Sequence, residues 1–141
     1  MQHIMTDWEQ QIDWAKLRKF RVERMVTVMK QKGIRAVLLA KLDTIRYATS
    51  FHSVQTWMFH GNRHIAIVTD EGHVSLLAAS GDVKRVQNTM PWLTDVEPFP
   101  FLMTEGYPVL ERKMKELGIT KGKVGIDMMA FDITRKLRLG F

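Results

Sequence analysis

The residues best suited to chemistry crowd into one stretch. Between Ser50 and His64 the chain carries Phe51, His52, Gln55, Trp57, Phe59, His60, Asn62, Arg63 and His64. Aromatic and hydrogen-bonding loops on a rigid sheet are where binding residues tend to sit. Arg63 stands just ahead of an apolar run, at a strand mouth, and its planar guanidinium is shaped to grip a carboxylate. Trp57, Phe59 and His60 are its candidate companions in binding a substrate. The competing reading folds Trp57 and Phe59 back as a satellite core and leaves the polar groups solvated. His60 and His64 are four apart, the spacing that sets two imidazoles on one helical face for zinc. The intervening Gly61-Asn62-Arg63 reads instead as a loop running into a strand. With no nearby carboxylate, and with Arg63 repelling a cation, no metal ligand is assigned.

Other catalytic signatures are missing. There is no G-x-S-x-G elbow, and with no cysteine there is no thiolate nucleophile. The glycines and lysines from Gly118 to Lys123 fail the phosphate-loop spacing, and no G-x-G-x-x-G follows a strand. Asp127 and Asp132 lie five apart, but the first ends a strand and the second caps a helix. No catalytic residue is assigned.

Composition narrows the classes further. A chain of 141 residues, 45% hydrophobic and 26% charged, is one ordinary globular domain. No window approaches the roughly 20 apolar residues of a membrane helix. The opening MQHIMTDWEQQ carries two acids and no apolar run, so it does not read as a secretory leader. The absence of cysteine excludes a disulfide framework and fits a reducing cytoplasm. The net charge of +6 is concentrated in Lys16, Arg18, Lys19, Arg21 and Arg24, and again in Arg135, Lys136 and Arg138. Basic residues with interleaved aromatics can hold nucleic acid. Here they fall on more than one helix face and alternate with Glu23 and apolar positions, which favours a solvated or interdomain face. The charged ending ITRKLRLGF reads as a cut edge of a larger protein.

The elements that must position these residues follow from periodicity. Leu17, Phe20, Met25, Val28 and Met29 recur at helical spacing from about Asp13 to Lys32, and Gly33 stops the helix. The stems of the neighbouring arginines are expected to snorkel along that stripe. Ala36 to Ala40 is a short strand suited to burial on both faces. Asp43 or Thr44 caps a short helix through Ile45, Tyr47 and Ala48. Ile65 to Thr69 and Val74 to Ala78 form a hairpin around Asp70-Glu71-Gly72. Ser80 or Asp82 caps a helix through Val83, Val86 and Met90. The segment DVEPFPF is extended, its prolines pointing to an edge or a strand exit. Pro108 opens a helix that Gly118 closes, Lys123 to Ile126 is a last strand, and a final helix starts near Asp132. The order predicts an α/β fold: a mixed sheet of about five strands with helices on both faces.

These residues also carry a family resemblance. The run RKFRVERMVTVMKQKGIRAVLLAKLDTIRYATSF, with Arg21, Arg24, Gly33, Ala36 to Ala40, Asp43, Tyr47, Thr49 and Phe51, resembles the opening of the creatinase, prolidase and aminopeptidase P N-terminal domain. The arginine-led hairpin RHIAIVTDEGHVSLLAA and the later KVGID strand fall where that family has them. The resemblance covers the chain from about residue 14 onward and implies a ribonuclease H-like domain without catalytic residues. It implies a second, pita-bread domain, absent from this chain, holding two divalent ions (Mn, Zn or Co) through two aspartates, a histidine and two glutamates. It further implies a homodimer in which this domain closes part of a neighbouring subunit's active site. In creatinase-like members an arginine at the head of the hairpin reaches the neighbour's substrate carboxylate, and Arg63 occupies that place. Where creatinase has an aromatic residue two before this arginine, the chain has Gly61, with Phe59 and His60 close by. An Xaa-Pro peptidase is the expected parent. Creatinase-like amidinohydrolases and dimethylsulfoniopropionate lyases share the pattern, the latter through Ile45 to Thr49, Trp57, His60 and Arg63. A freestanding binding or oligomerisation module is the alternative from another class.

Overall fold

The computed structural model describes residues 11–52, 64–100 and 103–127. Their elements run α1 (Trp14–Gln31), β1 (Ile34–Leu39), α2 (Leu42–Thr49), β2 (Ile65–Thr69), β3 (Val74–Ala79), α3 (Ser80–Thr89), β4 (Asp95–Phe99), α4 (Met103–Glu116) and β5 (Lys123–Ile126). The five strands form one sheet in the order β4-β3-β2-β1-β5. β1, β2 and β3 are antiparallel neighbours, while β4 and β5 add to the two edges in parallel. This is the mixed α/β sheet the sequence predicts.

Alternation along the central strands splits the core in two. Leu39, Ala66, Val68, Leu76, Ala78 and Val96 point to one face, where they meet Met29 of α1, Ile45 and Ala48 of α2, and Val86 of α3. Ala36, Leu38, Ile65, Ile67, Leu77 and Phe99 point to the other, against Leu110 and Met114 of α4. Helices therefore cover both faces. All five residues of β2 are buried, as a strand sandwiched between helical layers must be.

Four local expectations change. On α1, Met25 and Met29 face the core together with Val22, whereas Phe20 and Val28 are exposed. The snorkelling arginines end on aromatic rings: Arg18 lies 4.2 Å over Trp92 and Arg21 5.4 Å over Tyr47. On α2, neither Asp43 nor Thr44 is the cap. The helix starts behind Lys41, and the Asp127 carboxylate at the end of β5 accepts from the Ala40 amide at 2.8 Å, the Lys41 amide at 3.4 Å and the Thr44 hydroxyl. On α3, Ala79 is the N-cap and no side chain caps it, because the Asp82 carboxylate turns inward to other partners. On α4, Pro108 lies inside the helix, which begins at Met103. Proline forfeits one intrahelical hydrogen bond, yet the turn ahead of it is held by packing. Gly106 sits so close to Phe99 that a Cβ there would lie 2.5 Å from Cζ of the ring. The predicted closure at Gly118 holds, with φ at +71°. The helix expected near Asp132 falls outside the described residues.

Candidate functional site

Trp57, Phe59, His60 and Arg63, the residues the sequence nominates for substrate binding, lie outside the described residues. What the structure gives is the framework on either side of that segment, at residues 49–52 and 64. α2 ends at Ser50, a left-handed residue (φ 56°) whose amide donates to the Arg46 carbonyl. Phe51 follows, fully buried, its amide donating to the Thr49 hydroxyl at 3.0 Å. On the return side His64 is 4% exposed and immediately precedes β2. The Phe51 and His64 rings meet with centroids 4.8 Å apart.

α3 ties these two ends together. Asp82, itself 4% exposed, has Oδ2 3.1 Å from His64 Nε2 and accepts at Oδ1 from Arg85 Nε at 3.0 Å. Arg85 uses its other arm, Nη2, to donate to the His52 carbonyl at 2.8 Å, with its guanidinium 5.9 Å from the Phe51 ring centre. His64 pairs with Asp82, while His60, the other half of the spacing that suits a zinc pair, lies outside the described residues. Among the described residues, no group of three or more His, Asp or Glu is placed to hold a metal ion.

Two further features are not apparent from the sequence. The first is a groove of about 590 Å³ along α1, lined by Arg18, Val22, Val26, Ala48, Val74 and Trp92 among others. Trp92 forms its wall, with Nε1 donating to the Thr49 carbonyl at 2.8 Å. The second is an ionic network on the β4 edge. The Lys113 ammonium, 7% exposed, lies 2.6 Å from both Asp95 Oδ1 and Glu97 Oε1. Asp95 also accepts from the Ser75 hydroxyl and faces His73 Nε2 at 2.7 Å, while Glu97 accepts from Arg112 at 2.5 Å. Burial pushes the Asp95 carboxyl up, but hydrogen bonds from Lys113, Ser75 and His73 outweigh it and hold it below its ordinary value. Glu97 is lowered by hydrogen bonds from Arg112 and Lys113. Burial pulls the Lys113 ammonium down, and the two carboxylates more than reverse this. The α1 wall of the groove follows helical spacing (Ala15, Arg18, Val22, Val26), but its other residues, and the partners of the ionic network, come together only through the fold. Among the described residues, no helix is long and apolar enough to cross a membrane.

Comparison with known proteins fits this architecture. The model of the creatinase/prolidase N-terminal domain family matches residues 21–140. A dipeptidase from Pyrococcus horikoshii superposes with a TM-score of 0.64 at 24% identity, over 85% of this chain and 32% of that one. An Xaa-Pro aminopeptidase structure from Streptococcus pyogenes gives 0.65 at 16% identity, over 89% and 86%. The creatinase/prolidase N-terminal domain of an X-Pro dipeptidase from the same species gives 0.58 at 21%, over 90% and 88%. The chain thus spans about a third of the Pyrococcus dipeptidase but most of the length of the two streptococcal structures. No curated protein sequence matches it significantly. At these identities the superpositions establish the fold, and the family match over residues 21–140 establishes kinship: the chain belongs to the creatinase/prolidase N-terminal domain family.

Proposed function

We propose that this chain is the non-catalytic N-terminal domain of a dinuclear-metal hydrolase of the Xaa-Pro aminopeptidase or dipeptidase type. The observation that carries the reading is the family match over residues 21–140, in a chain that corresponds to only 32% of the Pyrococcus dipeptidase. In this reading the domain packs on its own C-terminal catalytic domain and contributes to a cytoplasmic homodimer. The two divalent ions are held by that catalytic domain; the described residues here offer no fitting ligand set, and no reaction step is assigned to them. Arg63, with His60, Trp57 and Phe59, contacts the substrate at the neighbouring subunit's active site, the guanidinium clamping a carboxylate. The basic face of α1 serves solvation and domain contact rather than nucleic acid.

The test is Arg63→Ala in the full-length protein, assayed with alanylproline. Loss of a charge-assisted hydrogen bond of about 1.5–3 kcal/mol should raise KM by about tenfold or more while the thermal midpoint holds. An unchanged KM removes the clamp. Reading the parent frame past Phe141 tests the wider claim: a further ~250 residues, the size of a large domain, supplying the Asp, Asp, His, Glu, Glu set supports the enzyme. A frame that stops there leaves a freestanding module.

A further inference from the structure

The groove along α1 has an apolar floor, a rigid wall and charges of opposite sign toward its two ends. Val22 and Val26 of α1, Ala48 of α2 and Val74 of β3 make it apolar within, and its volume of about 590 Å³ is in the range of small-ligand sites. Trp92 is the wall. It lies in the turn between α3 and β4, where the Leu93 amide donates to the Met90 carbonyl at 2.9 Å, and both of those residues are buried. Its Nε1 donates to the Thr49 carbonyl at 2.8 Å. The ring is thus fixed from its backbone and from its far edge, while 38% of the residue stays exposed. An aromatic held rigid and left open is an anchor that costs little entropy to use.

The charges give the groove a direction. Arg18 holds its guanidinium 4.2 Å over the Trp92 ring, and among the described residues it has no carboxylate partner. Lys19 and Glu23, both exposed, face each other at 3.8 Å and largely cancel. Glu71, in the β2–β3 turn, also lines the groove and has no ion-pair partner among the described residues. Its neighbour Gly72 approaches α1 at Val26, where an added Cβ would lie 3.8 Å from Val26 Cγ2. Arg18 and Val26 stand two turns apart on one helix, a separation of about 12 Å.

We propose that this groove binds a short free peptide with apolar side chains, its terminal carboxylate on Arg18 and its amino end toward Glu71. An extended chain rises about 3.4 Å per residue, so the span fits roughly three or four residues. A guanidinium stacked on an aromatic face keeps its N–H edge open to both oxygens of a carboxylate. The apolar floor takes the side chains, whose burial supplies the non-directional part of the affinity. Other ligand classes fit worse. A phosphate group would meet like charge at Glu23 and Glu71, and an uncharged lipid chain would cover Arg18 without pairing it. The inference does not rest on the hydrolase reading, since it uses only groups on α1, α2, β3, the β2–β3 turn and the Trp92 turn.

The experiment titrates the 141-residue chain with trileucine and follows the Trp92 indole N–H resonance, assigned by its loss in Trp92→Phe. A saturable shift is expected. Trileucinamide, which lacks the terminal carboxylate, and the Arg18→Gln variant should each raise the dissociation constant about tenfold. Combined, they should be no worse than either alone, because both remove the same contact. N-acetyl-trileucine and Glu71→Gln should each weaken binding about threefold, again without adding; the smaller factor reflects the exposure of Glu71. The absence of a saturable shift overturns the proposal, and so does equal affinity for trileucine and trileucinamide. That second comparison alters only the ligand and is independent of how any variant folds. Additive losses in the combined arms would mean that the termini bind elsewhere, which overturns the orientation and the site with it. Trileucine that shifts the isolated chain but not the full-length protein would show the groove filled by the parent's own chain, and would overturn it as a peptide site.

Discussion

Replacing Lys113 by methionine should cost stability in a way that depends on pH. The ammonium is 7% exposed and sits 2.6 Å from Asp95 and from Glu97. Each charge-assisted hydrogen bond is worth about 1.5–3 kcal/mol, so removing both sets a ceiling of about 3–6 kcal/mol. Two facts reduce it. Asp95 and Glu97 keep Ser75, His73 and Arg112 and are 19% and 26% exposed, so water can take up part of the loss. Methionine also restores most of the stem's packing. About 2 kcal/mol is expected at neutral pH, a fall in thermal midpoint of about 6–10 °C for a chain of this size. The pH dependence identifies the cause. With the folded carboxyls of Asp95 and Glu97 below their ordinary 3.8 and 4.5, their contribution is complete above about pH 5. It drains as pH falls through those values. Without Lys113, burial of Asp95 loses its chief opponent and that contribution shrinks or reverses. The gap between the two proteins in urea denaturation should therefore narrow to below about 1 kcal/mol by pH 3. On the alkaline side, Lys113 is raised above 10.5, so its contribution is complete below that pH and is lost only as pH climbs through the higher folded value. The gap at pH 9 should match that at pH 7. A gap that stays constant from pH 7 to pH 3 would refute the electrostatic account and leave only stem packing.

Asp127→Ala should loosen the turn that leads into α2, costing about 1–2 kcal/mol, and hydrogen exchange at the Ala40 and Lys41 amides, which donate to this carboxylate, should accelerate roughly tenfold. Equal protection in variant and parent would mean that Asp127 is a bystander. Gly106→Ala pits two effects against each other: alanine favours a helix interior by about 1 kcal/mol, but its Cβ would meet the buried Phe99 ring at 2.5 Å. Overpacking of about 1–3 kcal/mol should win, and a rise in thermal midpoint would show that the close approach is not tight.

The elements legible in the sequence are those whose surroundings are uniform. AVLLA, IAIVT and VSLLAA read as strands because helices cover both of their faces and most positions ask for an apolar side chain, Thr69 and Ser75 being the polar exceptions. α1 was legible at its ends, where Asp13 accepts from the Lys16 amide and Gly33 takes φ +64°. Its stripe was not, because Phe20 and Val28 are exposed while Val22 packs inward. Pro108 misled because a local preference for the first turn gave way to the seat that Phe99 offers Gly106. Asp82 misled for a related reason. Near a helix start the cap is the default use of an aspartate, and nothing in its neighbours announces a buried histidine 18 residues away. Arg63 and its companions were nominated by residue type, by the place of Arg63 at the head of the hairpin, and by the family resemblance. The framework on either side of their segment was not legible, since His52, His64 and Arg85 are linked only once β2 lies beside β3 and α3 follows.

The same dependence on topology explains the charged edge. Read alone, Asp95-Val96-Glu97 is an alternating segment of uncertain use. The parallel register pairs Ser75 with Asp95 and Leu77 with Glu97, which puts both acids on the face that α4 covers. Arg112 and Lys113 are consecutive on α4, so they diverge by about 100° around its axis: one turns inward between the acids, the other reaches Glu97 from the rim. Only a marginal strand can hold such a cluster, because in the middle of the sheet these carboxylates would lose the water that makes their burial tolerable. Inward-pointing charges and a proline are also the features that discourage a foreign strand from pairing with an edge, and β4 carries both, with Pro98 beside them. The network therefore answers two demands at once: it holds α4 against the sheet, and it makes the exposed margin of β4 a poor template for another chain.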